Sequence, residues 1–159
     1  ENERGGLCYA PRLLQSIDRL RELAETQPSG VNGAVAHDPR FRDKLARTRL
    51  DAQALEVTEL RILADLANGR SPGPQTSLVK LLGANIGQAV DTMRLELLGY
   101  DALQLPVDRP LYGNEAPEPV GSEIAQIAMG KYLNNRASTI FGGSDEVQKN
   151  IIAKTVLGL

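Results

Sequence analysis

The feature that most constrains this chain is a run of apolar residues at helical spacing, which extends from Pro39 to about Ala67. Asp38 suits the N-cap position of such a helix, and Pro39 suits its first position, where a missing N–H is not needed. Gly69 can end the helix in a left-handed conformation. A helix this long with one apolar stripe has to be covered by other helices. The predicted inner positions are Phe41, Leu45, Thr48, Ala52, Leu55, Glu59, Ile62 and Leu66.

Other segments show the same period. The first covers residues 6–26, and Pro11 is expected to kink its second turn. Two more cover residues 76–98 and 122–136, and a short helix closes the chain. Residues 27–33 are rich in turn formers and are predicted to be a loop. Aromatic residues make up only 4% of the chain, which favours packed helices over a sheet. The sequence therefore predicts an all-α fold: an antiparallel up-down bundle of four long helices plus a short C-terminal helix, with no strand.

The third and fourth helices and the link between them allow more specific predictions. Gly83 and Gly87 lie one turn apart in the third, which predicts the close approach of a neighbouring helix or a ligand, and helix packing is the more common cause. Residues 100–121 form a long link, and links of this length usually serve function or lie along a partner. The inner stripe predicted for the fourth helix is Ile124, Ile127, Ala128 and Leu133.

Charge and composition limit the possible functions. The net charge of −2 gives no bulk attraction to nucleic acid. Cys8 is the only cysteine, which excludes an internal disulfide and favours a reducing, cytoplasmic compartment. His37 is the only histidine and has no partners at metal-ligand spacing, so no metal site is predicted. No apolar run is long enough to span a membrane. The chain starts at Glu1 without a methionine, so we expect it to be part of a longer protein.

The last stretch of the chain holds the most specific motif. Gly142 and Gly143 permit a tight turn, and Ser144 can then cap a helix whose first turn contains Asp145 and Glu146. Taken alone, this pattern indicates a capped C-terminal helix. The whole run of residues 141–159, however, closely resembles the C-terminal signature of the acyl-CoA dehydrogenase family, in which a small-residue turn reaches a flavin.

This resemblance covers the whole chain and implies a function. Members of that family carry an N-terminal helical domain, a middle β domain and a C-terminal helical domain, and residues 1–159 resemble the third. The family desaturates an acyl-CoA: a carboxylate takes the α-proton and FAD takes the β-hydride. An electron-transfer flavoprotein or similar acceptor then reoxidises the flavin. The helical domains of the family pack together, so the resemblance implies a homo- or hetero-oligomer.

The resemblance also indicates where the catalytic carboxylate should be. Many members carry it in the final turn, directly before a glycine, and this chain has Gly142 there. Another branch supplies it from the start of the first helix, as a Glu that precedes an Arg. Glu3 precedes Arg4 here, so Glu3 is the candidate general base. Two alternatives remain: Glu3 is an ordinary charge at a helix start, or the subunit has no base and supports a catalytic partner.

The flavin contacts that the resemblance implies are mixed. The segment from Glu96 to Ala102 is similar to the family's Gln-Val-x-Gly-Gly-x-Gly segment, but only Gly99 matches. The family's Arg-x-x-Phe-Gly segment after the first helix has no equivalent in residues 28–33, which favours a non-catalytic subunit of a hetero-oligomer as the alternative function. The residues implied to lie near FAD are Glu96, Gly99, Tyr100, Gly143, Ser144 and Glu146.

Overall fold

The computed structural model of this chain describes residues 9–29, 33–104 and 121–159, and these form five α-helices. Short 3₁₀ turns cover Val35–His37, Gly99–Leu103 and Arg136–Thr139, and a π-turn covers Ala153–Leu157. The predicted all-α fold is confirmed. The helices are α1 (Ala10–Thr26), α2 (Pro39–Ala67), α3 (Gln75–Leu98), α4 (Glu123–Asn135) and α5 (Asp145–Ile152).

Long-range contacts show that neighbouring helices run antiparallel. Ala10 at the start of α1 is hydrogen-bonded to Glu59 near the end of α2. Lys44 near the start of α2 pairs with Glu96 near the end of α3. Leu98 at the end of α3 clusters with buried residues at the start of α4. The α3 helix contacts all four other helices, so it is the central element of the bundle.

The main apolar core lies between α1, α2 and α3. The stripe predicted for α2 is buried at six of its eight positions, including Thr48, whose hydroxyl donates to the Lys44 carbonyl, and Glu59. Leu66, near the end of α2, was predicted to be buried but is exposed. The best buried large side chains of this core are Ile17, Leu20 and Leu55.

Two predictions about local structure are corrected. Because α1 begins at Ala10, Pro11 lies in its first turn, where the missing N–H leaves no helical bond unmade, and not in the second turn. Residues 6–8 of the predicted helix lie outside the described residues. The predicted loop after α1 contains a short antiparallel pair, β1 (Pro28–Ser29) and β2 (Gly33–Ala34).

The stripe predicted for α4 is largely wrong. Ala125 and Ala128 are the buried residues of this helix, and they pack near Leu98 and Ala102. Small side chains allow the backbones to approach closely, which turns the larger apolar residues of α4 outward. The exposed apolar residues of α4 are Ile124, Ile127 and Leu133.

Candidate functional site

A cavity of about 670 Å³ lies where the start of α1, the middle of α3 and the glycine turn before α5 meet. Its apolar side chains come from α1 and from the residue before the glycine turn, and its polar side chains come mainly from the end of α4 and the turn that follows it. The lining residues are Tyr9, Pro11, Arg12, Leu13, Gly83, Ala84, Gly87, Asn135, Ser138, Phe141 and Gly142.

A buried carboxylate from α2 fixes the start of α1 beside this cavity. One Glu59 oxygen accepts from the Tyr9 N–H at 2.7 Å, and the other accepts from the Ala10 N–H at 3.3 Å. Tyr9 provides no side-chain cap, and Pro11 has no N–H to satisfy. Glu59 therefore supplies the acceptor that the first turn of α1 needs.

Both glycines of α3 lie where neighbouring side chains approach the helix closely. A Cβ atom at Gly83 would lie 2.7 Å from Cγ of the Tyr9 ring, closer than any normal contact. A Cβ atom at Gly87 would lie 3.3 Å from Asn135 Nδ2. The predicted close approach is thus confirmed, and the neighbours are the side chain before α1 and the end of α4.

The glycine turn has the backbone geometry that only glycine adopts readily. Gly142 and Gly143 have φ values of +66° and +94°. Ser144 then caps α5, since its hydroxyl oxygen accepts from the Val147 N–H at 3.4 Å. The fully buried Gln148 donates from Nε2 to the Gly142 carbonyl at 2.8 Å. The turn is therefore held from inside by the helix that it precedes.

A buried ion pair joins this turn to α3. Lys80 Nζ lies 2.6 Å from Asp145 Oδ1, and it also donates to the Thr139 carbonyl at 3.2 Å. Both charged side chains are almost completely buried. An ion pair shielded from water keeps a fixed geometry better than an exposed one. The Lys80–Asp145 pair therefore fixes the start of α5 relative to α3.

The polar wall of the cavity is already hydrogen-bonded. Asn135 donates from Nδ2 to Asp91 Oδ2 at 2.6 Å, and Arg94 pairs with the other Asp91 oxygen at 2.6 Å. Gln88 Nε2 donates to the Ser138 hydroxyl at 3.1 Å. These bonds join α3 to the end of α4 and hold the wall in one conformation.

Two titratable groups have shifted pKa values near the site. Burial raises the pKa of Tyr9, and the negative charge of Glu59 adds to the shift, so the phenol stays neutral. The pKa of Glu146 is lowered, first by a hydrogen bond from its own backbone N–H, and then by Ser144, Lys149 and Lys80. The start of α5 therefore favours negative charge.

The second set of predicted flavin contacts lies at the far end of α3. Gly99 has a φ value of +59°, and no atom lies within 4 Å of the position of a Cβ there. Tyr100 beside it is 90% exposed. Lys44 forms an ion pair with Glu96, with Nζ 2.7 Å from Oε2, and both side chains are about half exposed. The chain thus offers an open backbone and an exposed ring at this end.

The structure brings some of the predicted site residues together, and one of them lies outside the described residues. Gly142 and the first residues of α1 line the same cavity, and Gly143, Ser144 and Glu146 follow directly. Glu3, like Cys8, lies outside the described residues. In the described part of the chain, no group of three or more His, Cys, Asp or Glu residues could hold a metal ion.

Three supporting residues were not predicted from the sequence. Glu59 was placed on the inner stripe of α2 without a role. An acidic residue on a buried stripe is a signal that its carboxylate accepts hydrogen bonds from a neighbouring element. Lys80 gave a similar signal, because it lies between Ser77 and Ala84 on the buried face of α3. Tyr9 gave no signal, since its position depends on the meeting of three helices.

Comparison with known proteins identifies the family. The model for the acyl-CoA dehydrogenase C-terminal domain matches residues 1–157. This chain belongs to the acyl-CoA dehydrogenase family. The acyl-CoA dehydrogenase IpdE1 of Mycobacterium tuberculosis is 31% identical over 145 residues, which cover 91% of this chain and 33% of that protein. FadE34 of the same organism is 30% identical over 129 residues, or 81% of this chain and 15% of that protein.

Solved structures have the same fold. The FAD complex of PigA superposes with a TM-score of 0.71 at 17% identity and covers 95% of this chain and 34% of that one. The ChsE4–ChsE5 complex of M. tuberculosis superposes with a TM-score of 0.72 at 21% identity, covering 94% of this chain and 35% of the other. The chain therefore spans about a third of the length of IpdE1 and of these structures. None of the described helices is long and apolar enough to cross a membrane.

Proposed function

We propose that this chain is the C-terminal helical domain of a flavin-dependent acyl-CoA dehydrogenase, and that its cavity receives the reacting end of the acyl thioester. One observation carries this proposal. The family supplies its catalytic carboxylate either from the glycine turn or from the start of the first helix, and here both places border one cavity, through Gly142 and Tyr9. A base from either place could therefore serve the same substrate.

Gly142 has no side chain that could act as a base. We therefore assign to Glu3 the role of abstracting the α-proton of the substrate. Only a short stretch of chain separates Glu3 from Tyr9, whose backbone Glu59 fixes beside the cavity. A carboxylate that enters a mostly apolar cavity becomes a stronger base because burial disfavours its charged form. In this arrangement Glu59 and the Lys80–Asp145 pair are positioning groups, since they hold the two walls between which the substrate lies.

FAD is the cofactor of the proposed reaction, and the described residues fit it at two places. Gly143 leads into Ser144, the N-cap of α5, and the start of a helix favours electron-rich ligand atoms. No atom lies within 4 Å of a Cβ at Gly99, which leaves space there for a ligand, and Lys44 pairs with the carboxylate of Glu96 that would otherwise repel a pyrophosphate. When bound, FAD supplies the acceptor for the β-hydride. The residues of this chain hold it in place and exclude water from the cavity.

We propose an oligomer as the working form, with acyl-CoA as the substrate and an electron-transfer flavoprotein or a similar acceptor as the electron partner. The described part of the chain leaves large apolar side chains of α4 and α5 in contact with solvent, as an oligomer interface requires. They include Ile124, Ile127, Leu133 and Val147. The single cysteine favours the cytoplasm as the compartment.

Moving the carboxylate from position 3 to position 142 tests the proposal. In the full-length protein, Glu3→Gln should lower turnover by about 10²–10⁴-fold, the usual contribution of a general base, and leave the flavin bound. The double variant Glu3→Gln/Gly142→Glu should recover a small part of that loss, because position 142 lines the same cavity and no atom lies within 4 Å of a Cβ there. The φ of +66° strains any side chain at this position and therefore limits the recovery. Turnover is measured as anaerobic bleaching of the flavin absorbance by an acyl-CoA.

The matched control is Glu1→Gln, which removes a carboxylate from the same segment without touching the Glu-Arg pair. It should leave turnover unchanged. Full turnover in Glu3→Gln would exclude Glu3 as the base. A wild-type protein that binds FAD but never bleaches with any acyl-CoA would exclude the dehydrogenase function itself.

The alternative is a non-catalytic subunit that pairs with a competent one. It is favoured by the absence of the family's Arg-x-x-Phe-Gly segment from residues 28–33 and by the exposed apolar residues of α4. Under this alternative the purified protein contains no FAD, or an unlike subunit co-purifies with it. A flavin-loaded homo-oligomer that is active alone would exclude it.

A further inference from the structure

We propose that Tyr9 and Gly83 together set the width of the acyl group that the cavity accepts. The inference rests on the proposed function and adds a specificity determinant to it. The Tyr9 ring packs directly against α3 at Gly83, since a Cβ at Gly83 would lie 2.7, 2.9 and 3.0 Å from three atoms of the ring. Gly83 therefore forms a notch in α3 into which the ring fits.

The ring cannot leave this notch by a shift of the backbone. The Tyr9 N–H donates to Glu59 at 2.7 Å, and the next N–H, that of Ala10, donates to the same carboxylate. Glu59 is itself buried on α2. Two helices thus fix Tyr9: α2 holds its main chain and α3 receives its ring.

Tyr9 also lines the cavity, together with Leu13 and Gly142. Because the ring lies against α3 at Gly83 and Tyr9 lines the cavity, we expect a group that fills the notch to push the ring toward the cavity. Burial and the charge of Glu59 raise the pKa of Tyr9, so its ring presents a neutral phenol to the cavity. The depth of the notch therefore decides how much of the cavity is open to a substrate.

The chemical consequence is a preference based on width. A straight acyl chain passes a protruding ring more easily than a ring-bearing acyl chain of similar length. Filling the notch should exclude the wide substrate, and removing the ring should admit it more readily. One misplaced methyl or methylene group in such a pocket changes relative kcat/KM by about 10–200-fold.

The experiment compares octanoyl-CoA with cyclohexylbutanoyl-CoA as substrates of the full-length holoenzyme. Gly83→Ala should lower kcat/KM for the cyclohexyl substrate at least tenfold more than for the straight one. Tyr9→Ala should shift the ratio in the opposite direction. In the double variant Gly83→Ala/Tyr9→Ala the added methyl group meets no ring, so the ratio should match that of Tyr9→Ala alone. Isothermal titration of the two ligands should give the same order of binding constants.

Gly130→Ala is the control for a glycine-to-alanine change within a helix, because no atom lies within 4 Å of a Cβ there and Gly130 does not line the cavity. It should leave the ratio unchanged. If Gly83→Ala does not fold, Tyr9→Leu tests the same wall with a narrower side chain and should favour the cyclohexyl substrate.

Two results would overturn the inference while leaving the proposed function intact. One is a ratio that stays constant in Tyr9→Ala and Tyr9→Leu. The other is a Gly83→Ala effect that persists after Tyr9 is removed. If the wild-type flavin bleaches with neither substrate nor any other acyl-CoA, the proposed function fails, and the inference fails with it.

Discussion

The two halves of this bundle are held together by different forces. Between α1, α2 and α3, buried apolar side chains such as Ile17, Leu20 and Leu55 form one continuous core. Where α3 meets α4 and α5, the buried apolar residues are few and small, among them Ala125 and Ala128. That second region is joined by directional polar contacts instead.

The difference separates stability from precise geometry. Apolar packing is strong but tolerates small shifts, whereas hydrogen bonds and ion pairs fix distances and angles. In this chain the polar contacts surround the glycine turn: Lys80 with Asp145, Gln148 with Gly142, and Asn135 with the α3 helix. The large apolar residues of α4 do not take part in these contacts. They face outward, where a partner can cover them.

The largest expected effect tests the polar half. The side chains of Lys80 and Asp145 are only 5% and 14% exposed, so Lys80→Met leaves a buried Asp145 without its partner. Removing one member of such a pair should lower the free energy of unfolding by about 3–5 kcal/mol. Urea-induced unfolding of this chain measures the loss.

The control for this prediction removes both charges. Lys80→Met/Asp145→Leu should recover most of the stability, because replacing a buried pair by apolar groups is often neutral. A single variant as stable as the wild type would show that the polar half does not depend on this pair.

The next effect tests the apolar half against the outer face of α4. Leu55→Ala removes a fully buried side chain from the main core and should cost about 2–5 kcal/mol of unfolding free energy. Ile127→Ala, at a position 47% exposed, should change it by less than about 0.5 kcal/mol in the same urea experiment. A large loss at Ile127 would mean that the isolated chain already uses the outer face for stability.

Loss of a helix cap gives a smaller effect. The two halves should differ in how far along the chain that loss weakens hydrogen-exchange protection. Asp38 caps α2 by accepting from the Arg40 N–H at 2.7 Å, and Ser144 caps α5. Replacing either by Ala should cost about 1 kcal/mol. We expect Asp38→Ala to weaken hydrogen-exchange protection throughout α1–α3, and Ser144→Ala to weaken it in α5 alone. Equal effects throughout the chain would show that the bundle unfolds as one unit.

The smallest effect is a pH dependence confined to α5. The pKa of Glu146 is lowered from its usual 4.5, chiefly by the hydrogen bond from its own backbone N–H, so its charged form stabilises the folded helix. This stabilisation is present above about pH 4.5 and is lost as the pH falls below it. The protection of the α5 amides, taken relative to the intrinsic exchange rate at each pH, should therefore fall in acid in the wild type. In Glu146→Gln the protection should not follow this titration. Identical pH profiles for the two proteins would contradict the assignment.

Much of the fold could be predicted from the sequence because its signals are local. The bounds of α2 were predicted as the structure has them, since Asp38, Pro39 and Gly69 mark the two ends chemically and the apolar period fills the length between them. The cap at Ser144 was predicted for the same reason. The family was identified from the residues of the glycine turn and the helix after it, which are also contiguous in the chain.

The errors arose where a residue's burial depends on its neighbour. The period of α4 was correct, but its inner face was not, because the close contact with Leu98 selects the small Ala125 and Ala128. Apolar residues on an interface face and on a core face look alike in one sequence. The pairing of residues 28–29 with 33–34 was missed because strands this short have no period to detect.

The sequence by itself determined the bounds of α2, the cap of α5, the family, and that position 142 cannot supply the base, since a glycine stands there. Only the tertiary structure decided that the glycine turn and the start of α1 border one cavity, that Glu59 and Lys80 are buried to hold its walls, and that Tyr9 fits the notch at Gly83. The physical reason is separation along the chain. Caps and periods act within a few residues, whereas Tyr9, Glu59, Gly83 and Asp145 meet only after four helices have packed.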